Sequence, residues 1–134
     1  MILVDTSVWI DFLIGKDTPH RRLLHRLIES DEDICITEII LTEILQGIRD
    51  DALYETTKDY LLEFPVITPK GIESYISAAD IYRKCRKKGK TVRKTVDCII
   101  AAIVRENDVK LLHNNADFGV IKMCIGLETM DVAS

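Results

Sequence analysis

Hydrophobic residues along this chain fall into short runs separated by amphipathic stretches. Ile2-Leu3-Val4, Ile34-Cys35-Ile36, the segment between Pro65 and Pro69, and Val109 to Leu112 each read as a short buried strand. A weaker fifth candidate lies near Leu127 to Met130. Between these runs, apolar residues recur at helical spacing. Trp9, Ile10 and Leu13 follow Thr6 and Ser7, either of which can cap a helix. Thr18-Pro19 opens a second helix, with Leu23, Leu24, Leu27 and Ile28 on one face. Thr37 caps a third, with Ile40, Leu41, Ile44, Leu45 and Ile48 as its stripe. A fourth is expected from Leu53 to Glu63. A fifth starts near Ile72, repeats Tyr75, Ile76, Ala79 and Tyr82, and ends at Gly89. Thr95 caps the helix that contains Asp97 and the apolar stretch Cys98 to Val104. Strands alternating with helices predict an α/β sandwich: one domain over residues 1–134, with a mainly parallel central sheet of four to five strands flanked by helices.

Bulk composition fits that reading. A chain of 134 residues, 47% apolar and 30% charged, can bury a real core as an ordinary globular protein. The first apolar run stops at Asp5 and has no basic flank, so it does not read as a signal peptide. No stretch approaches a membrane span, and a cytoplasmic protein is expected. Cys35, Cys85, Cys98 and Cys124 form no C-x-x-C pair and share no ligand spacing with His20, His25 or His113. That favours reduced thiols and argues against zinc.

Charge distribution says more than the net −4. From Arg83 to Lys94 the chain carries eight of its 18 basic residues and no acid, leaving 10 basic against 22 acidic residues elsewhere. A helix end attracts some lysine and arginine through its dipole alone. Eight exceed that need, and the island, which includes Lys87, Lys88, Lys90 and Arg93, reads as a phosphate-binding stripe.

The candidate chemistry is acidic. Asp5 ends the first strand, Glu43 lies within the third helix, Asp97 opens the apolar helix, and Asp117 follows the last strong strand across a polar turn. Ligand sites in parallel sheets gather beyond the carboxyl ends of the strands, where Asp5 and Asp117 fall. At about 100° per residue, Glu43 lies on the flank of its apolar stripe, in line with Gly47, which is expected to leave open space above it. Glu38, roughly 140° away, is not expected to share the site. Taken singly, each acid has an ordinary explanation: strand stop, boundary glutamate, first-turn carboxylate, turn residue. Taken together, oxygen-only ligands that repel one another point to a hard cation, Mg²⁺ or Mn²⁺.

Four ordered segments carry a resemblance. They are Ile2 to Asp11 (with Asp5-Thr6-Ser7), Leu41 to Gly47 around Glu43, Gly89 to Arg93 leading to Val96-Asp97-Cys98, and Leu111 to Phe118. In this order they resemble a PIN-domain ribonuclease, specifically the toxin of a VapBC-type toxin–antitoxin pair. The resemblance spans the chain. It implies a PIN-like fold and a cytoplasmic Mg²⁺- or Mn²⁺-dependent endoribonuclease. Such a protein forms a homodimer and is held inactive by a cognate VapB-type antitoxin. Asp5, Glu43, Asp97 and Asp117 would form the metal site. Relatives often carry Asp-x-Asp-Phe in the last segment, where this chain has Asn115-Ala116-Asp117-Phe118. Asn115 can offer a carbonyl oxygen but no charge, which bears on a second metal position.

Two other readings stay open: a PIN-like domain that binds RNA or protein without catalysis, and a PIN nuclease of RNA maturation. A receiver domain would need paired acids after the first strand and an Asp after the third. A phosphatase with an aspartate nucleophile would need an acid where Ser7 stands. The expected chemistry is metal-assisted phosphodiester hydrolysis. Neutralising the basic stripe is expected to weaken RNA binding while leaving metal affinity nearly unchanged.

Overall fold

A computed structural model describes residues 1–132. In chain order the elements are β1 (Ile2–Val4), α1 (Thr6–Ile14), α2 (Pro19–Glu29), β2 (Ile34–Cys35), α3 (Glu38–Gln46), α4 (Asp51–Leu61), α5 (Ile72–Lys87), α6 (Thr95–Asn107), β3 (Lys110–Leu112) and α7 (Ala116–Ile125). The sheet is parallel throughout, in the order β2-β1-β3. Leu3 and Val4 point to opposite faces of β1 and are both fully buried, so both faces of the sheet are covered. The helices pack in two groups, α1 to α4 and α5 to α7.

The sheet has three full strands rather than the expected four to five. The segments at Pro65–Pro69 and Leu127–Met130 do lie parallel to it, but each makes a single bridge, Ile36 with Val66 and Leu111 with Thr129. Ile36 donates to the Pro65 carbonyl and accepts from Ile67, both at 2.9 Å. Prolines on both sides of Val66–Thr68 remove the donors a longer ladder needs.

Helix starts follow the expected caps in α2 and α3, where the Thr18 and Thr37 hydroxyls accept from Arg21 N and Ile40 N. Two caps differ. Asp5, not Thr6 or Ser7, caps α1, and α6 begins at Thr95 itself with Lys94 ahead of it and no side-chain cap. Gly89 sits just past the end of α5 at φ +73°, a conformation that suits a residue without Cβ.

Trp9 orients α1. Its ring is fully buried and meets Phe12, Tyr60 and Phe64 edge-on, with centroids 5.4 to 6.3 Å apart. This cluster ties α1 to α4 and fixes the face of α1 that turns towards α3.

Candidate active site

Three buried carboxylates lie beyond the carboxyl ends of β1 and β3. Asp5, Asp97 and Asp117 are each only 3% exposed. They arrive from three helix starts: Asp5 caps α1, and Asp97 and Asp117 occupy the first turns of α6 and α7. The partial positive charge of helix N-termini favours anions there. β1 is locked beside β3 by the Asp5 N–H, which donates to the Leu112 carbonyl at 2.9 Å.

Hydroxyls and amides hold the carboxylates in place. Ser7 donates to Asp5 Oδ2 from both its backbone N–H (3.1 Å) and its hydroxyl (2.7 Å). The same Ser7 hydroxyl accepts from the Asn114 N–H at 3.0 Å, which draws the loop before α7 against α1. Thr6 Oγ1 donates to Glu43 Oε1 at 2.8 Å, bringing the partly exposed Glu43 of α3 to the residue next to Asp5. Asp5, Asp97 and Asp117 thus lie at one end of the sheet, with Glu43 linked to the residue beside Asp5. Thr6 and Ser7 are the positioning residues, a role the sequence hinted at only as a hydroxyl beside Asp5.

Asp97 and Asp117 are close enough for the charge of one to bear on the other. Burial pushes the Asp97 carboxyl up to about 7, and the charges of Asp5 and Asp117 add to that. Burial also lowers the pKa of His113, the neighbour of this cluster, and His113 Nδ1 accepts from the Asn115 N–H at 3.2 Å.

Asn115 does something other than offer a free carbonyl oxygen. Its Oδ1 caps α7 by accepting from Asp117 N–H at 2.9 Å, and its Nδ2 donates to Asp97 Oδ2 at 3.3 Å. The cap uses one lone pair of that oxygen and turns the amide donors towards Asp97. The expectation for Gly47 is corrected. It stands after the last turn of α3, not inside the helix. A Cβ there would meet only backbone oxygens at 3.7 and 4.0 Å, so no open space above Glu43 demands glycine.

Of the basic stripe, Lys87 and Lys90 are exposed. Lys88 Nζ donates to the Cys124 carbonyl at 2.7 Å and so serves the C-terminus of α7. Arg93 Nε lies 3.3 Å from Asp117 Oδ1. Arg93 thus belongs to the electrostatics of the acidic site, and the expected independence of stripe and metal site does not extend to it.

The donor set suits a hard cation: oxygen ligands, mostly buried, with one carboxyl driven towards its neutral form by burial and by neighbouring carboxylates. As the side chains stand, no three His, Cys, Asp or Glu residues among those described are grouped to hold one ion. The exposed guanidinium of Arg93, beside Asp117, is the cationic group paired with this set.

The PIN domain family model matches residues 2–122. The chain belongs to the PIN domain family. This PIN domain is 33% identical over 129 residues to ribonuclease VapC11 of Mycobacterium tuberculosis and to a VapC ribonuclease of Mycobacterium bovis, covering 96% of this chain and of each relative. Its fold matches the structure of VapBC2 from Rickettsia felis bound to a promoter DNA fragment, with a TM-score of 0.76. That match has 18% identity and covers 99% of this chain and 100% of the other.

Proposed function

We propose that this PIN domain is a metal-dependent endoribonuclease, the toxin of a type II toxin–antitoxin module. The observation that carries the reading is the convergence of Asp5, Asp97 and Asp117, each 3% exposed, with Glu43 tied in through Thr6. The VapC relatives support the substrate class, RNA. Asp5, Glu43, Asp97 and Asp117 would hold Mg²⁺ or Mn²⁺, which supplies a nucleophilic water at neutral pH and offsets charge at the phosphate. The chain's own part is positional. Ser7 and Thr6 fix Asp5 and Glu43, the Asn115 amide restrains Asp97, and Arg93 stands where it can turn from Asp117 to a phosphate. Lys87 and Lys90, with Lys88 and Arg93 beside them, would meet the RNA backbone.

A cytoplasmic VapB-type antitoxin is the proposed partner, in keeping with the VapBC complexes among the fold's neighbours. Among the described residues no helix is long and apolar enough to cross a membrane. A homodimer is proposed through the outer face of α5, where Ile72, Tyr75 and Ile76 are 74%, 47% and 57% exposed.

The test is cleavage of a mixed RNA pool by purified protein with Mg²⁺, with Mn²⁺ and with chelator. Metal-dependent internal cleavage that Asp5→Asn abolishes is the expected result. An intact RNA pool under all three conditions would leave a binding domain without catalysis. Growth arrest relieved by the product of a small adjacent reading frame separates a toxin from a nuclease of RNA maturation.

A further inference from the structure

The seam between α5 and α6 holds a second charged feature, away from the acidic site. It is a groove of about 520 Å³ lined by Arg83, Lys84 and Lys87 of α5, Arg105 of α6, and two acids, Asp80 and Glu106. Its floor is Ile81 and Ala102, both buried. All four cations are exposed, and among the described residues none makes an ion pair. Glu106 is partly engaged, since its Oε2 accepts from the buried Ser74 hydroxyl at 2.6 Å. Four cations against two acids leave the groove with a net charge of +2 in a chain of net −4.

Helix dipoles explain part of this, because Lys84, Lys87 and Arg105 lie in last turns. They do not explain the arrangement. Ser74 of α5 meets Glu106 of α6 at one end of the pair, so the first turn of α5 lies beside the last turn of α6. The helices are therefore antiparallel, and cations from opposite helix ends share one groove. At about 1.5 Å per residue, Arg105 lies roughly 12 Å along α6 from Asp97. Lys87, at the near end, leads into the 88–94 loop, whose Arg93 reaches Asp117. The cations thus form a track from the acidic site along the α5–α6 seam.

We infer that this groove, through Arg83, Lys84, Lys87 and Arg105, binds the sugar–phosphate backbone of the RNA beyond the cleavage point. This inference rests on the nuclease reading and extends it. Exposed, unpaired cations over a floor without exposed apolar anchors suit a polyanion better than a protein, whose interfaces centre on buried aromatic or aliphatic contacts. The groove selects for RNA long enough to occupy site and groove together. Contacts from its cations to phosphates add affinity and reach, not base choice.

The experiment measures RNA binding by fluorescence anisotropy at several salt concentrations. It uses the full chain in the Asp5→Asn background, so that the RNA stays intact. Oligonucleotides of about 4 and about 16 nucleotides, the range one such groove covers, are compared. The longer RNA should bind more tightly and with a steeper salt dependence. The triple variant Arg83→Gln, Lys84→Gln, Arg105→Gln should lose that increment and flatten the slope of log K against log salt by about 2, since each lost contact on a single strand removes about 0.7. Melting temperature confirms that the variant is folded, and charge reversal of Arg105 alone, Arg105→Glu, gives a second measure of the same groove. An unchanged slope in both variants overturns the inference, as does loss of binding to an acidic peptide with RNA affinity intact. Failure of the nuclease reading is seen separately, as absence of cleavage by the unmodified protein.

Discussion

At the scale of single residues, the site is a set of carboxylates held together against their own repulsion. Asp5→Asn should abolish cleavage and leave the fold intact, because asparagine caps a helix as well as aspartate and the repelling cluster loses a charge. Circular dichroism and RNA cleavage in the same buffer check it, and full activity with Mg²⁺ would remove Asp5 from the metal site. Asn115→Asp has a two-sided expectation. The cap of α7 survives, but an amide donor facing Asp97 becomes a like charge. The metal-free protein should melt at a lower temperature, while metal binds more tightly and activity at low Mg²⁺ rises. Asp97 sets a pH dependence whose sign is opposite to the usual carboxylate. Its folded carboxyl titrates at about 7 against an ordinary 3.8. Between those values the folded state binds more protons than the unfolded state, so metal-free stability falls as pH rises through that window. Melting curves at pH 5 and pH 8 should show the decline, and Asp97→Asn should flatten it. His113, whose pKa burial lowers, contributes with the opposite sign, so identical pH dependence in the unmodified protein and in Asp97→Asn would mean that Asp97 is ionised at neutral pH.

At the scale of elements, α5 is the instructive helix. Its apolar residues at helical spacing, Tyr75, Ile76, Ala79 and Tyr82, are legible in the sequence but face outward, while Ser74, Ala78, Ile81 and Cys85 face the core. Small side chains pack α5 closely on α6, so the larger ones are left on the far face. Periodicity marks a helix and its stripes, not which stripe the rest of the chain covers. Ile76→Asp should therefore convert a dimer to a monomer in light scattering at matched concentration, with little loss of melting temperature because Ile76 is already exposed. A monomeric unmodified protein would remove α5 from consideration as an interface. The helix α7 was illegible for a different reason. The Asn- and Asp-rich segment before it reads as a turn, and the buried positions Phe118, Ile121 and Cys124 begin only after Asp117. β1 and β3 were legible because each is a short segment dominated by buried apolar residues, Ile2-Leu3-Val4 and Leu111-Leu112, between polar positions. The hydrogen bonds from Thr6 to Glu43 and from Asn115 to Asp97 span 37 and 18 residues, and local pattern holds no trace of them.

At the scale of the whole molecule, metal binding and folding are one linked equilibrium. The acidic site gathers residues from β1, α3, α6 and α7, so it exists only when both helix groups are docked on the sheet. A cation that binds this state and not the unfolded chain stabilises it by RT ln(1 + [L]/Kd), about 2.7 kcal/mol at a hundredfold excess over Kd. For a domain of this size each kcal/mol moves Tm by roughly 2–4 °C, so saturating Mg²⁺ or Mn²⁺ should raise Tm by about 5–10 °C. The rise should be larger at pH 8 than at pH 6, because a cation must displace the proton on Asp97, whose carboxyl is pushed up to about 7. Glu43→Gln and Asp97→Asn should each blunt the shift by lowering affinity. Arg93→Gln should enlarge it, because the cation no longer competes with the guanidinium 3.3 Å from Asp117. Differential scanning fluorimetry with Mg²⁺, Mn²⁺ and Zn²⁺ makes the comparison. A shift with Zn²⁺ alone, or one that Asp97→Asn leaves at full size, would show that the oxygen-ligand site is not where the ion binds. An unchanged shift in Arg93→Gln would instead place Arg93 with the RNA-binding residues only.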